Sequence, residues 1–123
     1  MKYLELNDIT AYKKALSLSN YIWIIVGKWK PFEKNSVGIQ FVRAVDSISA
    51  NIAEGFGRFN KKDKIKFYYY SFGSVKESLD WNEKSKIRML ITRSQYERVL
   101  EDLRTLPKEI HQLIKFTEIK LKK

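Results

Sequence analysis

Apolar residues return every three or four positions along most of this chain, the spacing of helices that bury one face. The pattern divides into four segments with short connections. The first predicted helix runs from about Asp8 to Trp29, and a loop at residues 30–36 follows. Asn35 or Ser36 is the candidate cap of the second helix, which ends around Gly55 and Gly57. The third helix extends from Asn60 to about Met89, and the fourth begins at Ser94. This arrangement predicts an all-α fold, an antiparallel up-down-up-down four-helix bundle formed by a single domain, residues 1–123.

The first predicted helix has a wider apolar face than a four-helix core needs. One stripe consists of Ile9, Tyr12, Leu16, Trp23 and Val26, with Ser19 in the remaining position. A second stripe lies one residue behind the first and consists of Ala15, Leu18, Ile22, Ile25 and Trp29. Wide apolar faces are typical of deep burial or of contact with a partner subunit. We therefore expect the protein to form a homo-oligomer.

Local signals mark the predicted helix ends. Asn60 is a candidate N-cap for the third helix, and Ser94 with Glu97 forms a candidate capping box for the fourth. Gly55 and Gly57 can adopt the positive φ that a helix C-terminus often needs.

Two residues that disfavour helix interiors lie inside predicted helices. Pro107 removes one hydrogen bond and crowds the carbonyl of Leu103, but the apolar spacing continues across it, so we predict a fourth helix kinked near Pro107 rather than broken. Gly73 in the third helix costs about 1 kcal/mol relative to alanine. We expect another helix to approach closely there.

Charge is the main composition signal. The chain carries 24 Lys and Arg residues against 14 Asp and Glu, a net charge of +10. Residues 1–54 hold 7 basic and 5 acidic side chains, whereas residues 55–123 hold 17 and 9. Such an excess attracts polyanions, of which nucleic acid is the commonest in a cytoplasm, although a lysine-rich surface can also serve solubility alone.

Composition also excludes several classes of protein. The absence of cysteine excludes disulfides, thiolate metal sites and cysteine nucleophiles. The first eight residues do not resemble a signal peptide, and the apolar run at residues 21–26 is far shorter than the ~20 residues of a membrane span. We expect a cytoplasmic protein without a membrane partner.

The cations gather in clusters that predict a nucleic-acid interface. The candidate nucleic-acid-binding residues are Arg58, Lys61, Lys62, Lys64 and Lys66 at one helix connection and Lys84, Lys86, Arg88 and Arg93 at the next. Further lysines near the C-terminus are Lys115, Lys120, Lys122 and Lys123. In an up-down bundle the residue 58–66 and C-terminal groups lie at one end and the residue 84–93 group at the other. Helical spacing buries at least one aromatic of residues 67–70, so we expect packing there rather than base stacking.

A polar row follows one side of the second predicted helix among apolar neighbours. Its members are Ser47, Asn51, Glu54 and Arg58, with Ser74 and Glu77 of the third helix as candidate partners. Glu54 and Arg58 can pair at i,i+4, and Asn51 can bridge to Ser47 or to the neighbouring helix. We predict a buried structural network that fixes helix register, with a ligand site as the alternative.

Catalytic signals are weak. His111 is the one histidine, no Glu-x-x-His pair suggests a di-iron site, and the glycines at 55 and 57 lack the Gly-Lys-Ser of a phosphate-binding loop. We expect no enzymatic activity, no cofactor and no metal. A small enzyme that uses Glu54 and Arg58 is the remaining alternative.

The central residues resemble a known family. These are Ser47-Ile48, Asn51 to Arg58, Lys61-Lys62, Phe67, and Gly73-Ser74 with Glu77. They are similar to the 23S ribosomal RNA intervening sequence proteins, small bacterial four-helix bundles first noticed as reading frames inside large-subunit ribosomal RNA genes. Ser49 stands where that family usually has proline, and Pro107 interrupts a helix that is normally continuous.

The resemblance implies a four-helix bundle that commonly forms a ring-like homopentamer without established enzymatic activity. The chain also resembles the accessory proteins of diversity-generating retroelements, strongly basic pentamers that bind nucleic acid and a reverse transcriptase. Two hypotheses follow. The first is a non-enzymatic homo-oligomer that binds RNA or a ribonucleoprotein through basic surfaces, and the second is a scaffold for a reverse transcriptase and its nucleic acid.

Overall fold

Four long helices form the fold of residues 4–121, the part of the chain that the computed structural model describes, and these residues contain no β-strand. Helix α1 spans Thr10–Gly27 and follows a short 3₁₀ turn at Leu6–Asp8. Helix α2 joins three consecutive helical stretches, Pro31–Glu33, Lys34–Gly38 and Ile39–Gly57. Helix α3 spans Lys61–Ile87, and helix α4 spans Arg93–Lys120.

Each helix packs against its neighbours in an antiparallel square. Helix α2 contacts α1 and α3, and α4 contacts α3 and α1. Side chains join the helices across these contacts: Ser71 Oγ donates to the Ile48 carbonyl at 2.9 Å, and Asn82 Nδ2 donates to the Tyr96 carbonyl at 3.2 Å. The predicted all-α up-down bundle is confirmed.

The core draws aliphatic side chains from all four helices around two large aromatic residues, Phe41 and Tyr68. Burial of a Leu, Ile or Val side chain stabilises a fold by about 1.5–3 kcal/mol, so the stacked aliphatic layers hold the helices together. Burial also raises the pKa of Tyr68 to about 12, because the charged phenolate is disfavoured away from water.

The core uses most of the second apolar stripe of α1 and part of the first, including Ile9 and Val26. Ala15, Leu18, Ile22 and Ile25 of the second predicted stripe are buried. In the first stripe Leu16 and Trp23 are exposed, Trp23 by 66%, and the neighbouring Ile24 is exposed as well. The wide apolar face is therefore real, and part of it remains on the surface.

The connection between α1 and α2 is shorter than predicted. The loop expected at residues 30–36 is wrong, because Pro31 is the first residue of α2. Proline suits that position, since its missing amide hydrogen has no helical partner there. Asn35 and Ser36 are not caps; they lie inside a π-helical turn, Lys34–Gly38. That turn brings Gly38 against α1, where a Cβ would lie 2.7 Å from Val26 Cγ1.

The helix-end predictions have mixed outcomes. Asn60 caps α3 as predicted, because its side chain accepts from the Asp63 amide at 2.8 Å. The capping box of α4 was misplaced by two residues: Thr92 accepts from the Gln95 amide at 3.1 Å, and Gln95 accepts from the Thr92 amide at 2.9 Å. Helix α4 continues through Pro107 without a break.

The predictions of a positive φ at Gly55 and Gly57 and of a close helix contact at Gly73 were wrong. None of the glycines in residues 4–121 has a positive φ. Gly55 is required instead by close packing, because a Cβ there would lie 2.6 Å from Tyr68 Cε1. Gly73, expected at a close helix contact, is exposed, and a Cβ at this position would meet no neighbouring atom within 4 Å.

Candidate nucleic-acid interface

The antiparallel order places the basic clusters at two ends of the bundle. The terminal end holds the start of α1, the α2–α3 connection and the end of α4; there Lys61 Nζ donates to the Glu118 carbonyl at 3.0 Å. The turn end holds the α1–α2 and α3–α4 connections, and near it the Arg98 guanidinium lies 3.9 Å from the Tyr21 ring centre. The clusters therefore separate as the topology predicts. Lys122 and Lys123 lie outside the described residues.

Most of the residue 58–66 cluster makes internal contacts. Arg58 pairs with Glu54 at 2.9 Å and lies over the Phe67 ring at 4.6 Å. Lys64 Nζ donates to the Phe56 carbonyl at 2.6 Å, and partial burial lowers the pKa of Lys64. Lys61 binds the end of α4. These three cations stabilise the terminal end in addition to any contact with a ligand.

The remaining cations of this cluster form a stripe with tyrosines. Lys62 and Lys66 are exposed and share the outer side of α3 with Tyr69 and Tyr70, which are 56% and 51% exposed. Tyr68 is buried, as helical spacing predicts for at least one of these aromatics. The sequence favoured packing over base stacking for these aromatics, whereas Tyr69 and Tyr70 are exposed. Periodicity alone does not show which aromatics the core leaves out.

The cations of the residue 84–93 cluster are more exposed to solvent than those of the residue 58–66 cluster. Lys84 pairs with Asp80 at 2.6 Å, and Arg93 approaches Glu97 at 3.4 Å. Lys86 lies over the Tyr96 ring at 4.4 Å. Lys86, Arg88 and Arg93 are all exposed. These contacts are on the surface, where water screens them, so each ion pair contributes only about 0.2–1 kcal/mol and leaves the cation available to a polyanion.

The fold adds three lysines to this end that the sequence did not single out. Lys28, Lys30 and Lys34 belong to the α1–α2 connection and the start of α2, far from residues 84–93 in sequence. Residues 28–34 and 84–93 together carry seven cations and one acid, Glu33. The signal was present in the up-down topology, because alternate helix connections lie at the same end.

The polar row lies at the edge of the α2–α3 contact, so its predicted burial is wrong. Asn51 Nδ2 donates to the Ser47 carbonyl at 2.9 Å and lies 3.5 Å from Ser74 Oγ. Glu54 and Arg58 form the predicted i,i+4 pair, but both are exposed. The Asn51 bridge between helices is present, whereas the charged half of the row faces solvent.

Glu77 does not join this row. Its carboxylate accepts from Trp81 Nε1 at 3.4 Å. Within residues 4–121, the polar side chains without exposed surface are instead Ser71, Ser78, Asn82 and Ser85, all on α3. Sequence reasoning missed them because α3 carries both exposed aromatics and buried small polar residues, which weakens its apolar periodicity.

Comparisons with known proteins agree with this fold. Residues 7–112 match a family model described as 23S rRNA-intervening sequence protein. A crystal structure of a protein with unknown function from the S23 ribosomal protein family of Bacteroides thetaiotaomicron is 25% identical, with a TM-score of 0.75 over 86% of this chain and 99% of that chain. No curated protein matched the sequence. Of the helices in residues 4–121, none is long and apolar enough to span a membrane.

Proposed function

Because this chain belongs to the family of 23S rRNA-intervening sequence proteins, we propose that it binds RNA through its basic surfaces, as a non-enzymatic homo-oligomer. The family name associates these proteins with ribosomal RNA. In this chain the proposal depends on the charges that the fold gathers at the ends of the bundle.

The observation that carries the proposal is the turn end. Its two connections bring seven cations together with one acid, although the sequence separates them by about fifty residues. Lys28, Lys30 and Arg88 are exposed there. A phosphate backbone that contacts such a surface releases its condensed counterions, and this release supplies most of the sequence-independent affinity of nucleic-acid-binding proteins.

The stripe on α3 supports the same function at the other end. Lys62 and Lys66 can contact phosphates while the neighbouring Tyr69 and Tyr70 offer aromatic faces to bases. Stacking of a base on an aromatic side chain contributes about 1–3 kcal/mol and tolerates any sequence. This combination favours RNA that exposes some of its bases.

The surface of α1 and α2 supports self-association. An apolar groove of about 630 Å³ runs between these helices, and its lining includes Trp23, Ile39 and Val42. Trp23 and Ile39 are exposed in the single chain. A second copy that covers this groove would bury them, and repetition of the basic ends around an oligomer would convert weak phosphate contacts into avid binding. The pentamer implied by the family resemblance remains a prediction.

No chemical reaction is part of the proposal. Glu54 and Arg58, the candidate catalytic pair, bind each other at 2.9 Å on an exposed edge of the bundle. The Arg58 and Glu54 side chains are 43% and 51% exposed, so the pair lies open to water rather than inside an enclosed site. The pair is better explained as a surface contact that helps to end α2.

Filter binding of a structured RNA at increasing salt concentration tests the RNA-binding proposal. If about four phosphates are contacted, the affinity should fall about 50- to 150-fold between 50 and 200 mM salt. Absence of binding at low salt would refute the proposal, and so would tight binding that does not change with salt.

A further inference from the structure

The α3–α4 connection contains a backbone conformation that glycine usually supplies. After α3 ends, the Met89 amide donates to the Lys86 carbonyl at 3.0 Å and the Leu90 amide donates to the Ser85 carbonyl at 2.8 Å. This pair of bonds is a Schellman motif, whose central residue adopts the left-handed conformation and is most often glycine. Met89 occupies that position with a φ of 61°, and it is the one non-glycine residue in 4–121 with a positive φ.

The Met89 side chain packs little against the other described residues. It is 88% exposed. A left-handed conformation costs an ordinary residue roughly 1–2 kcal/mol, and unfavourable backbone conformations that persist tend to lie at functional sites. A methionine at this position therefore indicates a use for the side chain outside the chain's own core.

Two other large apolar side chains project at the same end. Ile87, at the end of α3, is 74% exposed, and Phe32, in the first turn of α2, is 80% exposed. The exposed cations Lys28, Lys30, Lys86 and Arg88 belong to the same two connections. The turn end thus carries both exposed apolar side chains and exposed cations on its two connections.

This combination matches the two parts of an unpaired nucleotide. The cations complement the phosphate charge, and the apolar side chains can contact a base face that is not stacked in a helix. Duplex RNA offers only the first part, because its bases are stacked and its deep major groove excludes side chains. Aromatic and aliphatic side chains that contact or separate bases are a known device of nucleic-acid-binding proteins.

We propose that the turn end captures unpaired nucleotides of the bound RNA, with Met89, Ile87 and Phe32 against the bases and the cations of the two connections against the phosphates. This inference rests on the proposed RNA-binding function and assigns one end of the bundle to single-stranded or looped RNA.

The Met89→Gly variant gives the sharpest test, because its two expected effects have opposite signs. Glycine relieves the left-handed conformation, so the denaturant midpoint should rise. Loss of the side chain should weaken binding to an RNA hairpin with a large unpaired loop about 10-fold, while binding to a blunt RNA duplex of the same length should change less than about twofold.

Phe32→Ser should reproduce the loop-specific loss without the gain in stability. Phe59→Ser, which removes a 95% exposed aromatic at the terminal end, is the matched control and should leave loop preference unchanged.

The outcomes separate this inference from the proposed function. If Met89→Gly and Phe32→Ser bind the hairpin like the wild type, while Lys62→Gln/Lys66→Gln weakens RNA binding, the inference is overturned and the proposed function stands. If the wild type binds neither hairpin nor duplex, both are overturned. Binding to phosphatidylserine vesicles without binding to either RNA would likewise overturn both, and would assign the apolar tip to a lipid surface.

Discussion

At the residue scale, Gly55 and Gly73 lie in opposite packing environments, one crowded and one open. A Cβ at Gly55 would lie 2.6 Å from Tyr68 Cε1 and 2.9 Å from the Lys64 carbonyl oxygen, whereas a Cβ at Gly73 would have no neighbour within 4 Å. Gly55→Ala should therefore destabilise the fold by about 1–3 kcal/mol through overpacking.

Gly73→Ala is the matched control. It should stabilise the fold by about 0.5–1 kcal/mol, because alanine restricts the unfolded chain and meets no obstacle in the helix. Urea denaturation of both variants measures the difference. Equal effects of the two substitutions would contradict the packing described for Gly55.

Single residues were the hardest part of the site to predict from sequence. The i,i+4 pair of Glu54 and Arg58 follows from spacing alone and is present. The exposure of the pair could not be predicted, because a modest rotation of the helix about its axis moves a polar row from the core to the edge of the helix contact. Met89 carried no sequence signal, since its backbone conformation depends on where α3 ends.

At the element scale, Pro107 leaves one carbonyl of α4 without its helical hydrogen bond. The helix continues across the proline, so its packing against the bundle compensates for the missing bond. Pro107→Ala should restore the bond to the Leu103 carbonyl and stabilise the fold by about 1–3 kcal/mol.

Thermal or urea denaturation checks this expectation, with Lys108→Ala as a control that should change stability by less than about 0.5 kcal/mol. Destabilisation by Pro107→Ala would show that the proline ring makes packing contacts worth more than the hydrogen bond.

The existence of the helices was predictable and their ends were less so. Long three-four periodicity identified all four helices, because each must bury one face. The α4 cap was misplaced since Thr92-x-x-Gln95 and Ser94-x-x-Glu97 satisfy the same capping pattern two residues apart. Pro31 was assigned to a loop because proline equally suits the residues after one helix and the first turn of the next.

At the scale of the whole molecule, the exposed part of the α1 face predicts an assembly. Sedimentation of the wild type should show a species several times heavier than the 14.6 kDa chain. Trp23→Glu should shift the protein toward the single chain, because it places a charge in the apolar groove while leaving the core untouched. Phe59→Ser should not change the assembly. A wild type that sediments only as a single chain would contradict the proposed homo-oligomer.

The gathering of charge at the turn end is also a property of the whole molecule. The sequence identified residues 84–93 as a cluster, but Lys28 and Lys30 join it only through the antiparallel path of the chain. Charge patterns along a sequence report neighbours on one helix or loop. They do not report which distant connections share an end of a bundle.

The salt dependence of RNA affinity tests the central claim most directly, when the wild type is compared with Lys30→Gln/Arg88→Gln. Loss of two phosphate contacts should make the slope of log affinity against log salt shallower by about 1.5–2. Lys76→Gln/Lys108→Gln, which removes two exposed lysines near the middles of α3 and α4, should leave the slope unchanged. Equal slopes for the wild type and Lys30→Gln/Arg88→Gln, or equal losses in both double variants, would contradict an interface at the basic ends of the bundle.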